Sequence, residues 1–228
     1  MAPDRQSRTS AALRTYQRLK QDILACVLPP GAVLSEGRLG EALEISKTPV
    51  REALAMLVHE GFVIVESRRG YRVKDITLTD VQEIFYLRVL LEPGAAGLAA
   101  QHATPEALRE LQARTEEAID AIPFGTTDRA FHAALADASG NRRLAGILRR
   151  LMEEVYRLHM AGFAVEAPAE GRLHRELLVA ILRGNHHQAH DIAERRVEVD
   201  RELVMEALLK VLSSGATPAL NVRIAPMP

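Results

Sequence analysis

One cysteine, no tryptophan and few aromatics are the first facts of this chain: Phe, Trp and Tyr make up 4% of its 228 residues. A single thiol, Cys26, excludes an internal disulfide framework and suits a reducing cytoplasm. No apolar run approaches the roughly 20 residues of a membrane-spanning helix. The opening MAPDRQSRTSAAL has no hydrophobic signal core. A cytoplasmic protein with no membrane partner is expected. Charge of one sign is also lacking, since 29 Lys/Arg against 30 Asp/Glu leave a formal net charge of −1. That balance hides an asymmetry. Residues 1–76 carry 12 basic and 9 acidic side chains, and residues 77–228 carry 17 and 21. A modest basic excess in the first third favours a polyanionic partner there.

What is present divides the chain in two. Ala and Leu dominate beyond residue 77, which predicts helices near 79–91, 93–102, 105–121, 127–138, 142–162, 169–183 and 186–213, the first pair being one helix if it continues through Pro93. Before that, Leu13, Leu19, Ile23, Leu24 and Val27 lie on a helical stripe that Pro29-Pro30-Gly31 ends. Ser35 is placed to cap a short helix, and Glu44-Ile45 turns the chain. Ser46 or Thr48 caps the next helix, which carries Pro49 in its first turn and stops at Gly61. Residues 62–65 and 71–73 read as strands joined by Ser67-Arg68-Arg69-Gly70. The predicted class is mainly α: an N-terminal winged helix-turn-helix over residues 10–76, then an all-helical bundle of six or seven helices over 77–213. Residues 1–9 and 214–228 are expected to be disordered.

A winged helix-turn-helix places its second helix in the major groove, N-terminal residues first. Arg51, one turn into that helix, suits a bidentate contact to guanine. Ser46, Lys47 and Thr48 bring short side chains and free backbone N–H groups to where a phosphate would sit. Arg68 and Arg69, beside Gly70, suit the minor groove or its phosphates. Arg38 and Arg72 are weaker candidates.

The run PGAVLSEGRLGEALEISKTPVREALAMLVHEGFV followed by RRGYRV resembles the N-terminal domain of GntR-family transcriptional regulators. The segments YLRVLLEPGAAGLAA, DRAFHAALADASGN and HRELLVAILRGN resemble the FCD effector-binding domain of that family's FadR branch. The resemblance implies a homodimer on a pseudo-palindromic operator in double-stranded DNA, with a small organic acid as effector. It matches Ser46, Lys47, Thr48 and Arg51 to the DNA-contacting segment and Gly70 to the wing.

Asp128 and His132 stand four apart, on one face of a helix, as two metal ligands do. In the resembled domain an Asp, a His, a second His and a third His hold a divalent metal such as Zn, Ni or Mn. The first three match Asp128, His132 and His174. The third His would fall at Arg196. His190, six residues earlier, faces roughly 240° away and does not replace it. Two accounts remain. Three ligands hold a metal with open positions, or Arg196 supplies the cation, pairing with Asp128 or holding an acidic effector directly. The resemblance turns Arg88 toward the effector cavity as well. His132 and His174 also fit hydrogen-bonded histidines inside a bundle, and Asn141 reads as a helix cap. A ligand-responsive repressor, no enzyme, is therefore expected. The alternatives are a metal-responsive regulator or a metal-dependent hydrolase, the latter lacking a general base beside the ligands.

Overall fold

The structure is a computed structural model that describes residues 5–67, 70–120, 125–163, 168–213 and 222–223. It falls into two compact units, residues 1–77 with 217–228 and residues 78–216.

In the first unit, α1 (Arg5–Leu24) packs on α3 (Lys47–His59), with the short α2 (Glu36–Ala42) beside α3. Leu19, Ile23 and Leu24 of α1 and Val50, Ala53, Leu54 and Leu57 of α3 form the buried apolar core, with Phe62, Val63 and Val73. Leu13 and Val27, assigned to the inner stripe by periodicity, are exposed. Val27 lies beyond the end of α1, past Cys26, whose φ of 54° has already turned the chain out of the helix. Gly61 ends α3 as expected: its φ is 82°, its N–H donates to Val58 O (3.0 Å) and the Phe62 N–H to Leu57 O (3.0 Å), the paired bonds of a left-handed helix stop.

The sheet has a strand the sequence did not announce. β1 (Val33–Leu34) pairs antiparallel with β3 (Gly70–Val73), which pairs antiparallel with β2 (Val63–Glu66), in the order β1-β3-β2. Two residues are too few to show an alternating pattern, so β1 had no signal. The hairpin register sets Val63 opposite Val73 and Glu66 opposite Gly70. Beyond it, β4 (Ile76–Thr77) pairs in parallel with β5 (Val222–Arg223).

In the second unit, α4 (Leu78–His102) is one helix of 25 residues that continues through Pro93. Around it stand α5 (Pro105–Asp120), α6 (Gly125–Ala138), α7 (Arg142–Leu158), α8 (Pro168–Leu182) and α9 (His186–Ser213), so the described residues give a six-helix bundle. Asn141 caps α7, its Oδ1 accepting from the N–H of Arg143 and Leu144, each at 3.2 Å. A wider turn, His159–Phe163, follows α7 and reverses at Gly162. α4 is central, touching α6, α7, α8 and α9. Its buried stripe runs Val81, Ile84, Phe85, Arg88, Glu92, Ala95, Ala96 and Ala99, at the three-to-four-residue step of a helix face. Two charged residues therefore occupy core positions.

Gly70 begins β3 with a φ of 90°, and a Cβ there would lie 3.1 Å from the Leu34 carbonyl oxygen of β1. Gly70→Ala should thus weaken the β1–β3 pairing by about 1 kcal/mol. Faster amide hydrogen exchange at Leu34 and Tyr71 is the expected readout, and unchanged protection would remove the requirement for glycine.

Candidate functional site

α3 presents its first turn to solvent. Ser46 stands at the N-cap position with extended backbone, and its side chain makes no capping hydrogen bond. Ser46, Lys47, Thr48 and Arg51 are exposed, while Pro49 and Val50 turn inward. The N–H groups of this turn and the positive end of the helix dipole therefore face outward together with a hydroxyl, an ammonium and a guanidinium. Arg51 is held by a fork onto Glu36 of α2, Nε to Oε1 at 2.9 Å and Nη2 to Oε2 at 2.7 Å. That pairing holds the Glu36 carboxyl below its usual value. Gly70 is exposed, whereas Arg68 and Arg69 lie outside the described residues. Arg38 is exposed too. Arg72 is committed elsewhere: its Nε donates to Glu66 (2.5 Å) and its Nη1 to Asp75 (2.6 Å), an intramolecular clamp on the wing.

The second unit buries a charged cluster. Arg88 and Arg196, the two arginines assigned to an acidic effector, are 0% and 1% exposed; Glu92 is 1% and Asp200 4% exposed. The Arg88 Nε donates to Glu92 Oε1 at 2.6 Å, and its Nη1 donates to Asp200 Oδ2. The Arg196 Nη2 donates to Glu92 Oε2 at 2.7 Å. Position 88 thus pairs with 200 and position 92 with 196, which requires α4 and α9 to run antiparallel. His132 Nδ1 lies 3.2 Å from Glu92 Oε2, and its Nε2 lies 2.9 Å from Arg196 Nη2. Because a guanidinium only donates, the geometry fits a neutral imidazole that accepts at Nε2 and donates from Nδ1 to Glu92. His174 Nε2 is 3.5 Å from Arg196 Nη1. Phe131 meets both imidazoles in T-shaped contacts, with ring centroids 5.4 Å from His132 and 4.3 Å from His174. His159 reaches Asp200 at 3.7 Å.

Burial alone would raise both carboxyl pKa values. Around Glu92, the Arg88 and Arg196 charges and the hydrogen bond from His132 overcome it and hold the group well below its usual 4.5. Asp200 is likewise taken down to about 2 by Arg88 and His159, against its own burial. The guanidinium of Arg88 is buried with two carboxylates, which raise its pKa still further. Its Nη2 has no hydrogen-bond partner among the described residues.

Sequence reasoning named Arg88, Arg196, His132 and His174, and the structure brings all four together. Asp128 lies on α6, but its side chain is outside the described residues. Glu92 and Asp200 were missed. The signal was there: each sits four residues from a named arginine, on the stripe its helix buries. A metal does not fit the residues as they stand. An ion held at about 2.0–2.2 Å from both imidazoles would overlap a guanidinium whose nitrogens lie 2.9 and 3.5 Å from them. Elsewhere, His190, Asp191 and Glu194 bring ligand atoms within 4.8 Å of one another, but all three are exposed.

Removing Glu92 takes away the carboxylate paired with Arg196 and leaves Arg88 with Asp200 as its remaining carboxylate. Glu92→Ala should therefore cost about 3–5 kcal/mol, read by urea denaturation of the helical unit; a loss below 1 kcal/mol would contradict the pairing. Asp200, depressed from its usual 3.8 to about 2, contributes about 2 kcal/mol. That contribution is present above pH 3.8 and lost as pH falls through about 2. Asp200→Asn should flatten the acid limb of stability against pH in this window.

The model described as bacterial regulatory proteins, gntR family, matches residues 11–73, and the FCD domain model matches residues 83–198. Similar proteins include YdhC, an HTH-type transcriptional regulator of Bacillus subtilis, 30% identical over 186 residues, 78% of this chain and 83% of its own. RspR, an HTH-type transcriptional repressor of Escherichia coli, is 27% identical over 168 residues, 71% and 74% of the two chains. McbR of E. coli is 32% identical over 197 residues, 81% and 89%. A solved structure of E. coli McbR/YncC superimposes with a TM-score of 0.73 at 25% identity, covering 86% of this chain and 97% of that one. The chain belongs to the GntR family of bacterial regulatory proteins, with a DNA-binding domain followed by an FCD domain, and is a transcriptional regulator rather than an enzyme.

Proposed function

We propose that this regulator represses transcription from a pseudo-palindromic operator and that a small organic acid, bound in the helical domain at Arg88 and Arg196, alters its hold on DNA. Arg51 reads a base, while Ser46, Lys47 and Thr48 anchor a phosphate at the start of α3. Arg68, Arg69 and Gly70 bring the wing to the neighbouring groove. Repression is supported by the name of the relative RspR.

The observation that carries the effector reading is the buried Nη2 of Arg88, a donor with no partner among the described residues. An unmatched N–H in a core costs about 1–3 kcal/mol, and a carboxylate oxygen is the acceptor that best matches a guanidinium. A second copy of the chain is required to read both half-sites. Tyr86, Leu87 and Leu90, exposed together on one side of α4, supply an apolar surface for that contact.

Two measurements test the reading. Duplexes selected from a random pool should converge on a pseudo-palindrome, and Arg51→Ala should weaken the selected site by about 1–3 kcal/mol while binding to unrelated DNA changes little. Equal losses on both would remove Arg51 from base reading. Among small mono- and dicarboxylates, at least one should shift operator affinity about 5–150-fold. Arg88→Lys, which keeps the charge and loses the fork, should lose that response and retain operator binding. A response confined to uncharged or cationic compounds would overturn the acid.

A further inference from the structure

The Arg196 guanidinium stands among His132, His174 and Glu92: its Nη2 lies 2.9 Å from His132 Nε2 and 2.7 Å from Glu92 Oε2, and its Nη1 lies 3.5 Å from His174 Nε2. Two imidazoles and a carboxylate are the donor set that holds a divalent transition metal with open positions. We propose that Arg196 is a permanent internal cation in the centre of this set, so that the site excludes divalent metals and receives its acid on a guanidinium.

Three observations support this. The guanidinium is fixed by covalent attachment to α9 and walled by Phe131, whose ring centroid is 5.7 Å from its Cζ. Its charge is answered by Glu92, so that carboxylate is already engaged and does not call for a second cation. A dication in the same place would meet a buried positive charge that cannot be removed by deprotonation. Glu92 supplies a carboxylate to the set.

The proposal concerns the same cluster as the effector reading and rests on it only for the acid. Its test uses neither DNA nor effector, so the two can fail separately. Full-length protein without a His-tag is dialysed against Zn, Ni or Mn, washed, and assayed by inductively coupled plasma mass spectrometry. The parent should retain no ion at this site. Arg196→His should retain about one per chain, and its melting temperature should rise with metal where the parent's does not. Should Arg196→His fail to fold, Arg196→Ala frees the same three ligands with less bulk, and the same gain is expected. Arg196→Lys keeps the cation and should retain none.

A parent that holds about one ion per chain and loses it in His132→Ala would overturn the proposal. So would folded Arg196→His and Arg196→Ala proteins that bind no metal, because the three ligands would then not form a set. An acid that acts on the parent should act equally in a chelator; an acid that needs added metal would also overturn it.

Discussion

Helices α4 and α9 can pair in one register only, because each buries an arginine followed four residues later by a carboxylate. Antiparallel alignment sets Arg88 against Asp200 and Glu92 against Arg196. Sliding either helix by one turn would place like charges together or leave a charge buried without an opposite, a cost of several kcal/mol. Apolar residues alone do not discriminate between neighbouring registers so sharply, since leucine and alanine pack tolerably at several offsets. Buried ion pairs give little net stability after desolvation, but they do fix register. α4 also contacts α6, α7 and α8. Whatever sets its position against α9 therefore sets the frame in which His132 of α6 and His174 of α8 meet Arg196.

Charge serves an opposite purpose in the first unit. The Arg51–Glu36 fork is well aligned, yet Arg51 is 64% exposed, and an exposed pair of this kind contributes about 0–1 kcal/mol. It orders the side chain without committing it. A guanine edge or a phosphate would compete with Glu36 on nearly equal terms, whereas Glu92 holds Arg196 in a buried pair. Burial, rather than the identity of the paired groups, separates a contact that is easily exchanged from one that specifies the fold.

Much of this was legible in the sequence for identifiable reasons. Gly61 and Asn141 were readable as helix ends because capping is local chemistry, decided by backbone conformation and one side chain. The exposed first turn of α3 was readable because its inward residues recur at helical spacing. Val27 was misjudged because periodicity assumes the helix continues, and the chain turns at Cys26 before Val27 is reached, whereas Leu13 lies within α1 on its exposed side. Glu92 and Asp200 escaped for a different reason. A charged residue on a helix stripe reads as an interruption of the core until its opposite number is known, and that partner lies 104 and 112 residues away in sequence. The clue was the reversed match of two arginine–carboxylate pairs, which has meaning only once the two helices are known to be antiparallel.

The exchange of a metal for a guanidinium changes what a binding site can recognise. A divalent ion with open positions favours ligands that chelate, such as an acid with a neighbouring hydroxyl or keto oxygen, and its strength lies in charge and in coordination number. A guanidinium carries one charge and directs its N–H groups in a plane, so it favours a flat carboxylate that meets two donors at once. The first site discriminates by bite, the second by planarity and alignment. On the proposed reading, Arg196 has moved this regulator from the first kind to the second. The ligand then has to match two guanidiniums held by the α4–α9 register, and its recognition depends on the same charge pairs that hold the bundle together.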